Sequence, residues 1–187
     1  MIVNDALVNQ AELRTPRLKL VQHGPAFLDG VMESLQNEEF NRLTGTQTQF
    51  ERATVQRFLE SLPGNDGRAD WAILSKTDDA YLGEIVLNDL DTDNRSMNFR
   101  VGLSSEAVVG KGFGTEATRA VVNYGLDVIG LHRISLGVFS FNPRAQRVYE
   151  KCGFVREGVE REVLLWDGQW IDQIRMAILA TDPREIP

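Results

Sequence analysis

Hydrophobic and polar positions change period several times along this chain of 187 residues. Arg17-Leu18-Lys19-Leu20-Val21-Gln22 alternates and predicts a strand. After Gly24-Pro25, the residues Phe27, Leu28, Val31, Met32 and Leu35 recur at helical spacing and predict an amphipathic helix. Thr48 and Glu51 have the spacing of a capping box ahead of a second helix, with an expected buried stripe of Val55, Phe58, Leu59 and Leu62. Pro63-Gly64-Asn65-Asp66-Gly67 ends that helix in a loop. Three strands follow as a meander, at 71–75, 81–88 and 97–103, separated by polar turns. In the third, Met97, Phe99, Val101 and Leu103 share one face.

A glycine-rich loop then leads into a helix expected from about Thr115 to Ile129, with Gly130 as its stop. A strand over 132–139 precedes a short helix that Asn142-Pro143 opens and Gly153 closes. Asp167-Gly168-Gln169 joins the last two strands as a hairpin. The resulting order, β-α-α-β-β-β-α-β-α-β-β, predicts an α/β (α+β) protein with helices packed on a mixed sheet. The length suits one domain over 1–187, with a core over about 14–180 and a loose arm over 1–13.

Composition narrows the function only slightly. The formal charge of −7 argues against a nucleic-acid surface and leans toward a cationic partner, although the same charge also serves solubility. No apolar run is long enough to span a bilayer, and the first 13 residues lack a secretory pattern. Cys152, the single cysteine, has no partner for an internal disulfide. Together these imply a cytoplasmic protein. His23 and His132 have no partners at metal spacing, so no metal site is expected.

The chemistry concentrates in two clusters. In Val109-Gly110-Lys111-Gly112-Phe113-Gly114-Thr115, three glycines leave no side chain between backbone and ligand and permit positive φ. Successive amides can then converge on an anion, with the positive end of the following helix behind them and Lys111 as a point charge. A tight strand-to-helix connection would read the same way. The second cluster, from Asn142 to Phe154, places an amide side chain and the Tyr149 phenol seven residues apart. Asn142 also suits a helix N-cap, and Tyr149 a core aromatic.

Taken together, these blocks resemble the GCN5-related N-acetyltransferases, in the branch of the ribosomal-protein N-terminal acetyltransferases and the spermidine acetyltransferases. The resemblance runs from Arg14-Thr15-Pro16-Arg17-Leu18 to Met176-Ala177-Ile178-Leu179. Its most specific pieces are Gly110-Lys111-Gly112-Phe113-Gly114-Thr115-Glu116-Ala117, Asn142-Pro143-Arg144-Ala145 and Tyr149-Glu150-Lys151-Cys152-Gly153-Phe154. It implies a central, mostly antiparallel twisted sheet of about seven strands with helices on both faces. It also implies acetyl-CoA as cofactor, held at the pyrophosphate by residues 109 to 115. Val109 stands where the family usually has Arg or Gln, so a side-chain contact is lost and more rests on Lys111.

By the same resemblance Asn142 meets the pantetheine arm, Ala145 is the small position beside it, and Tyr149 lies near the thioester sulfur as general acid. A neutral amine would attack the thioester directly, with backbone N–H groups near Val101 to Leu103 receiving the developing charge. Glu84 is the candidate base, although a strand glutamate facing solvent fits its position equally well. The acceptor would be a protein N-terminus, a polyamine or another small amine, and a homodimer is implied. A non-catalytic acyl-CoA-binding module is the alternative from a different class.

Overall fold

The computed structural model describes residues 1–105 and 107–184. Its elements are α1 (Asn4–Val8), β1 (Leu13–Arg14), β2 (Leu18–Gln22), α2 (Leu28–Leu35), α3 (Glu38–Thr44), α4 (Arg52–Glu60), β3 (Ala69–Ser75), β4 (Tyr81–Asp91), β5 (Ser96–Leu103), α5 (Phe113–Asn123), β6 (Arg133–Phe139), α6 (Pro143–Lys151), β7 (Val155–Trp166) and β8 (Gln169–Leu179). A π-helical segment, Tyr124–Ile129, extends α5 to Gly130, whose left-handed φ of 83° ends it. The sheet has eight strands in the order β1-β2-β3-β4-β5-β6-β8-β7. The strand beyond the expected seven is the two-residue β1, too short to leave a periodic signature.

Every neighbouring pair is antiparallel except β5 and β6. On one face, Ile73, Ile85, Leu87, Met97, Phe99, Ile134 and Leu136 pack against Ala117, Val121 and Val122 of α5 and form the main core. On the other side, Val55, Leu59 and Leu62 meet Leu28, Val31, Met32 and Leu35, joining α2 to α4 in a smaller cluster. Burial of such apolar surface, worth about 25 cal/mol per Å², holds both layers to the sheet.

Three local expectations are corrected. The first residues are not a loose arm: α1 buries Leu7 completely, the Tyr124 hydroxyl donates to the Ala6 carbonyl at 2.8 Å, and the Trp71 indole donates to the Ala11 carbonyl at 3.1 Å. A helix of five residues is too short to show a 3.6-residue period. The Thr48 capping box does not form either, because α4 starts after Glu51 and has no side-chain cap. Phe58 leaves the expected stripe and is 44% exposed. Sequence periodicity also missed α3, which Asn37 caps by accepting the Phe40 N–H at 2.9 Å.

Candidate active site

The site begins with the one parallel pair. β5 and β6 are in register only at Ser96↔Arg133, Met97↔Ile134 and Asn98↔Ser135, and beyond Asn98 they separate. Ser104 donates its N–H to the Leu82 carbonyl, and Gly83 faces Leu103 in the antiparallel register of β4 and β5. In that alternation the N–H and C=O groups of Val101 and Leu103 point away from β4, toward the gap. The gap opens into a cleft of about 1040 Å³ that reaches both faces of the sheet. Gly83, at φ 144°, makes the β4–β5 wall possible there, since a Cβ would lie 2.1 Å from the Gly102 carbonyl oxygen.

The wall on the core face is built by α5 and α6. Gly112 caps α5 at φ 85°, a left-handed conformation that suits glycine, and no side chain caps the helix. The N–H groups of Gly112, Phe113, Gly114 and Thr115 have no acceptor among the described residues. Four open amides at the positive end of an 11-residue helix suit an anion. A clamp fixes this loop from behind. Arg17 donates to the Lys111 carbonyl at 2.9 Å, lies 4.7 Å over the Phe113 ring, and pairs with Glu116 at 2.7 Å. Burial alone would raise the Glu116 carboxyl, but hydrogen bonds from Thr15 and from the Arg17 backbone and guanidinium hold it below the usual carboxylate value.

On α6 the Asn142 Oδ1 accepts the Ala145 N–H at 3.1 Å, so the residue is an N-cap whose amide NH₂ is left for the cleft it lines. Tyr149 is buried, with its ring edge-on to Phe99 and Phe154. Its hydroxyl has no hydrogen-bond partner among the described residues and is not sealed from the cleft. Burial, with the Cys152 thiol as a lesser cause, keeps the phenol well above its ordinary pKa, so it stays protonated. Arg144, Arg147 and Lys151 also line the cleft from this helix. Open amides, a glycine cradle and nearby cations fit the pyrophosphate and phosphate of coenzyme A.

The opposite face carries a different set. Glu84 pairs across to Gly102, and a Cβ at 102 would meet the Phe40 ring at 2.7 Å, so α3 roofs this part of the cleft. The Glu84 side chain is still 34% exposed, yet desolvation in the cleft raises its carboxyl above the ordinary value, with Arg100 partly opposing. His23 lies behind it, 2% exposed, with Nε2 at 3.7 Å from Glu84 Oε2 and 3.4 Å from the Tyr81 hydroxyl. Burial pushes the imidazole down to about 4, so it is neutral and the Glu84 contact is not an ion pair. Its Nδ1 accepts the Gly24 N–H at 2.9 Å, which places the proton on Nε2, toward Tyr81 and Glu84.

Of the residues read from sequence, Val101, Leu103, Val109, Gly110, Gly112, Gly114, Thr115, Asn142, Ala145, Tyr149 and Glu84 line this one cleft. Lys111 and Phe113 do not: the Phe113 ring lies under the Arg17 guanidinium, and Lys111 is exposed, with only its carbonyl engaged by Arg17. Glu84 is on the cleft wall, not out in solvent. Sequence reasoning missed the cations of α6, whose i, i+3, i+7 spacing was a readable signal. It also missed Arg17 with Glu116, His23 with Tyr81, and Arg100, which come together only through long-range pairing. Among the described residues no group of His, Cys, Asp or Glu could hold a metal, and no helix is long and apolar enough to cross a membrane.

Comparison with known proteins agrees with this architecture. Residues 17–155 match the family model of the acetyltransferase (GNAT) domain. The chain is 33% identical over 135 residues to the probable N-acetyltransferase YjcK of Bacillus subtilis, covering 72% of this chain and 74% of that one. It is 35% identical over 98 residues to the spermidine N(1)-acetyltransferase of Vibrio cholerae, covering 52% and 56%. The crystal structure of spermidine N-acetyltransferase from Vibrio cholerae, in complex with CoA and spermine, superposes with a TM-score of 0.83 at 22% identity, covering 89% of this chain and 98% of that one. At that identity the superposition speaks for the fold. The chain therefore belongs to the GNAT family of acetyltransferases and is an acetyl-CoA-dependent N-acetyltransferase.

Proposed function

We propose that the cleft transfers an acetyl group to a primary amine, a protein N-terminus or a small amine, by direct attack on the thioester. The observation that carries this reading is the opening between β5 and β6, which connects a protonated phenol on one face to a carboxylate of raised pKa on the other. Bound acetyl-CoA supplies the acetyl thioester, and transfer makes a C–N bond and breaks the C–S bond.

In this reading the amides from Gly112 to Thr115 hold the pyrophosphate, with Val109 and Gly110 beside them. The Asn142 amide and the space over Ala145 hold the pantetheine. Backbone N–H groups of Val101 and Leu103 receive the charge that develops on the carbonyl oxygen. Glu84 takes the proton that the attacking ammonium must lose, directly or through water, while His23 and Tyr81 limit its motion. Tyr149 would donate a hydrogen bond to the thioester sulfur and supply the proton that the leaving thiolate takes up, recovering one from water. A nucleophilic serine or cysteine is not required; Cys152 is buried under α5, with Sγ 3.7 Å from the Thr115 carbonyl.

Two further elements belong to the same proposal. One is a cytoplasmic location, which suits a chain whose single cysteine cannot form an internal disulfide. The other is a homodimer, which sedimentation would test. The reading as a whole is tested by thiol release from acetyl-CoA with a panel of amines. Saturable, amine-dependent release is expected. Coenzyme A binding without turnover of any amine would refute it.

A further inference from the structure

The charges on the Glu84 face are unusual for a chain of net charge −7. Among the described residues, five cationic side chains line the cleft, and Glu84 is the only carboxylate there. Arg144, Arg147 and Lys151 belong to α6, the helix beside the amide cradle, and Arg144 in its first turn also acts on Glu39 of α3. That leaves Arg100 and Arg175 for the face of Glu84. Their positions follow from register: Arg100 pairs with Val86, one alternation along from Glu84↔Gly102, so the Arg100 and Glu84 side chains rise from the same face. Arg175, on β8, pairs with Gly137.

The two arginines differ in how they are used. Arg175 has Glu160 at 3.9 Å. Arg100 forms no hydrogen bond or ion pair with any described residue, and it is exposed to the cleft. Its guanidinium offers five donors in a planar fork that matches a carboxylate. The other acids nearby are already engaged. Asp70 is buried and held by both arms of Arg68, at 2.7 and 2.6 Å. Asp91 accepts the N–H and the side-chain amide of Asn94 and closes a turn, and Asp89 accepts from Asn88. None of the three lines the cleft.

A polyamine brings two or more ammonium groups and needs a carboxylate for each. This face offers one carboxylate and one uncommitted guanidinium. The geometry points to an acceptor of mixed charge: a primary amine that carries a carboxylate within a few bonds of its nitrogen, the amine directed to Glu84 and the carboxylate to Arg100. Arg100 is then the residue that sets specificity, and spermidine-like acceptors are disfavoured. The inference rests on the reading that the Glu84 face is the acceptor side. The carboxylate comes either from an acidic residue next to a peptide N-terminus or from a free amino acid.

The test uses two pairs of probes that differ only in charge, with spermidine for comparison. One pair is the peptide amides Ser-Asp-Glu and Ser-Asn-Gln; the other is free glutamate and its α,γ-diamide. Binding to the coenzyme A-loaded protein is measured by calorimetry, and turnover by thiol release. The acidic member of at least one pair is expected to bind at least tenfold better than its amide. The pair with the larger ratio identifies the source of the carboxylate. Arg100→Ala brings the ratio near one, and Arg100→Lys restores part of it, which separates a charge effect from misfolding.

The inference is overturned if the acidic and amide probes bind alike, if spermidine is preferred, or if the ratio survives Arg100→Ala. Binding that depends on Arg100 but is never followed by turnover would support the inference while refuting the transfer reading. Turnover of neutral amines without any charge preference would do the reverse.

Discussion

Tyr149 and Glu84 approach the cleft from opposite faces, and burial moves both in the direction that leaves them protonated. For the phenol this preserves a donor at every working pH. Tyr149→Phe is expected to lower kcat on the order of 10²-fold, the usual size of an acid–base contribution, with coenzyme A affinity nearly unchanged. Steady-state kinetics beside calorimetry would show the split; lost affinity with intact turnover would contradict the assignment. For the carboxylate, the proposed base, the effect is ionisation above its ordinary 4.5. The acid limb of kcat/KM should therefore lie above that value. Arg100 holds the Glu84 carboxyl down, so Arg100→Ala should move the limb to higher pH, which a pH–rate profile would reveal.

His23 gives a stability prediction at the same scale. The unfolded chain binds a proton near 6.5, whereas the buried imidazole does so only near 4. Stability present at neutral pH is then lost as pH falls from about 6.5 to about 4, by on the order of 3 kcal/mol, and levels below that. Thermal unfolding across this window should show the slope, and His23→Gln should flatten it. His23 was easy to set aside in the sequence, because its partners Tyr81 and Glu84 lie about 60 residues away and carry no shared motif.

Between elements, the decisive junction is the clamp of Arg17, ahead of β2, on Glu116 of α5. It fixes the loop that presents the amides. Gly112→Ala should cost about 1–2 kcal/mol through its left-handed φ, and its Cβ would meet Arg17 Nη2 at 3.2 Å, so coenzyme A affinity should fall as well. Glu116 is held as a carboxylate, so its contribution is present above its unfolded value of 4.5 and lost as pH falls through its lower folded value. Glu116→Gln is expected to weaken coenzyme A binding several-fold while the helix persists, as calorimetry and circular dichroism would show.

Of the strands of this region, β5 was legible because its first half alternates, whereas β3 and β4 are largely buried on both faces and were legible as short apolar runs between polar turns. The glycine loop was legible because its glycines are consecutive in period. The exposure of Lys111 outside the cleft lining was not, since the loop is fixed by the distant Arg17, which takes the Lys111 carbonyl. α1 and α3 were missed because five and seven residues are too few to show a helical period. Arg100 gave no signal at all: alternation assigns it a face, and only the departure of β6 after Asn98 turns that face into a cleft wall.

For the molecule as a whole, an acidic chain encloses a basic cleft. Coenzyme A affinity should fall as ionic strength rises, because the cations of α6 are partly screened. The overall arrangement is a sheet opened at one parallel junction, with the proposed cofactor cradle on one face and the proposed acceptor site on the other. The most direct test is calorimetric titration of the purified protein with coenzyme A, beside its Gly112→Ala variant. The arrangement predicts saturable binding at one site per chain, weakened in the variant. Absence of heat and of saturation in the wild-type protein would contradict it.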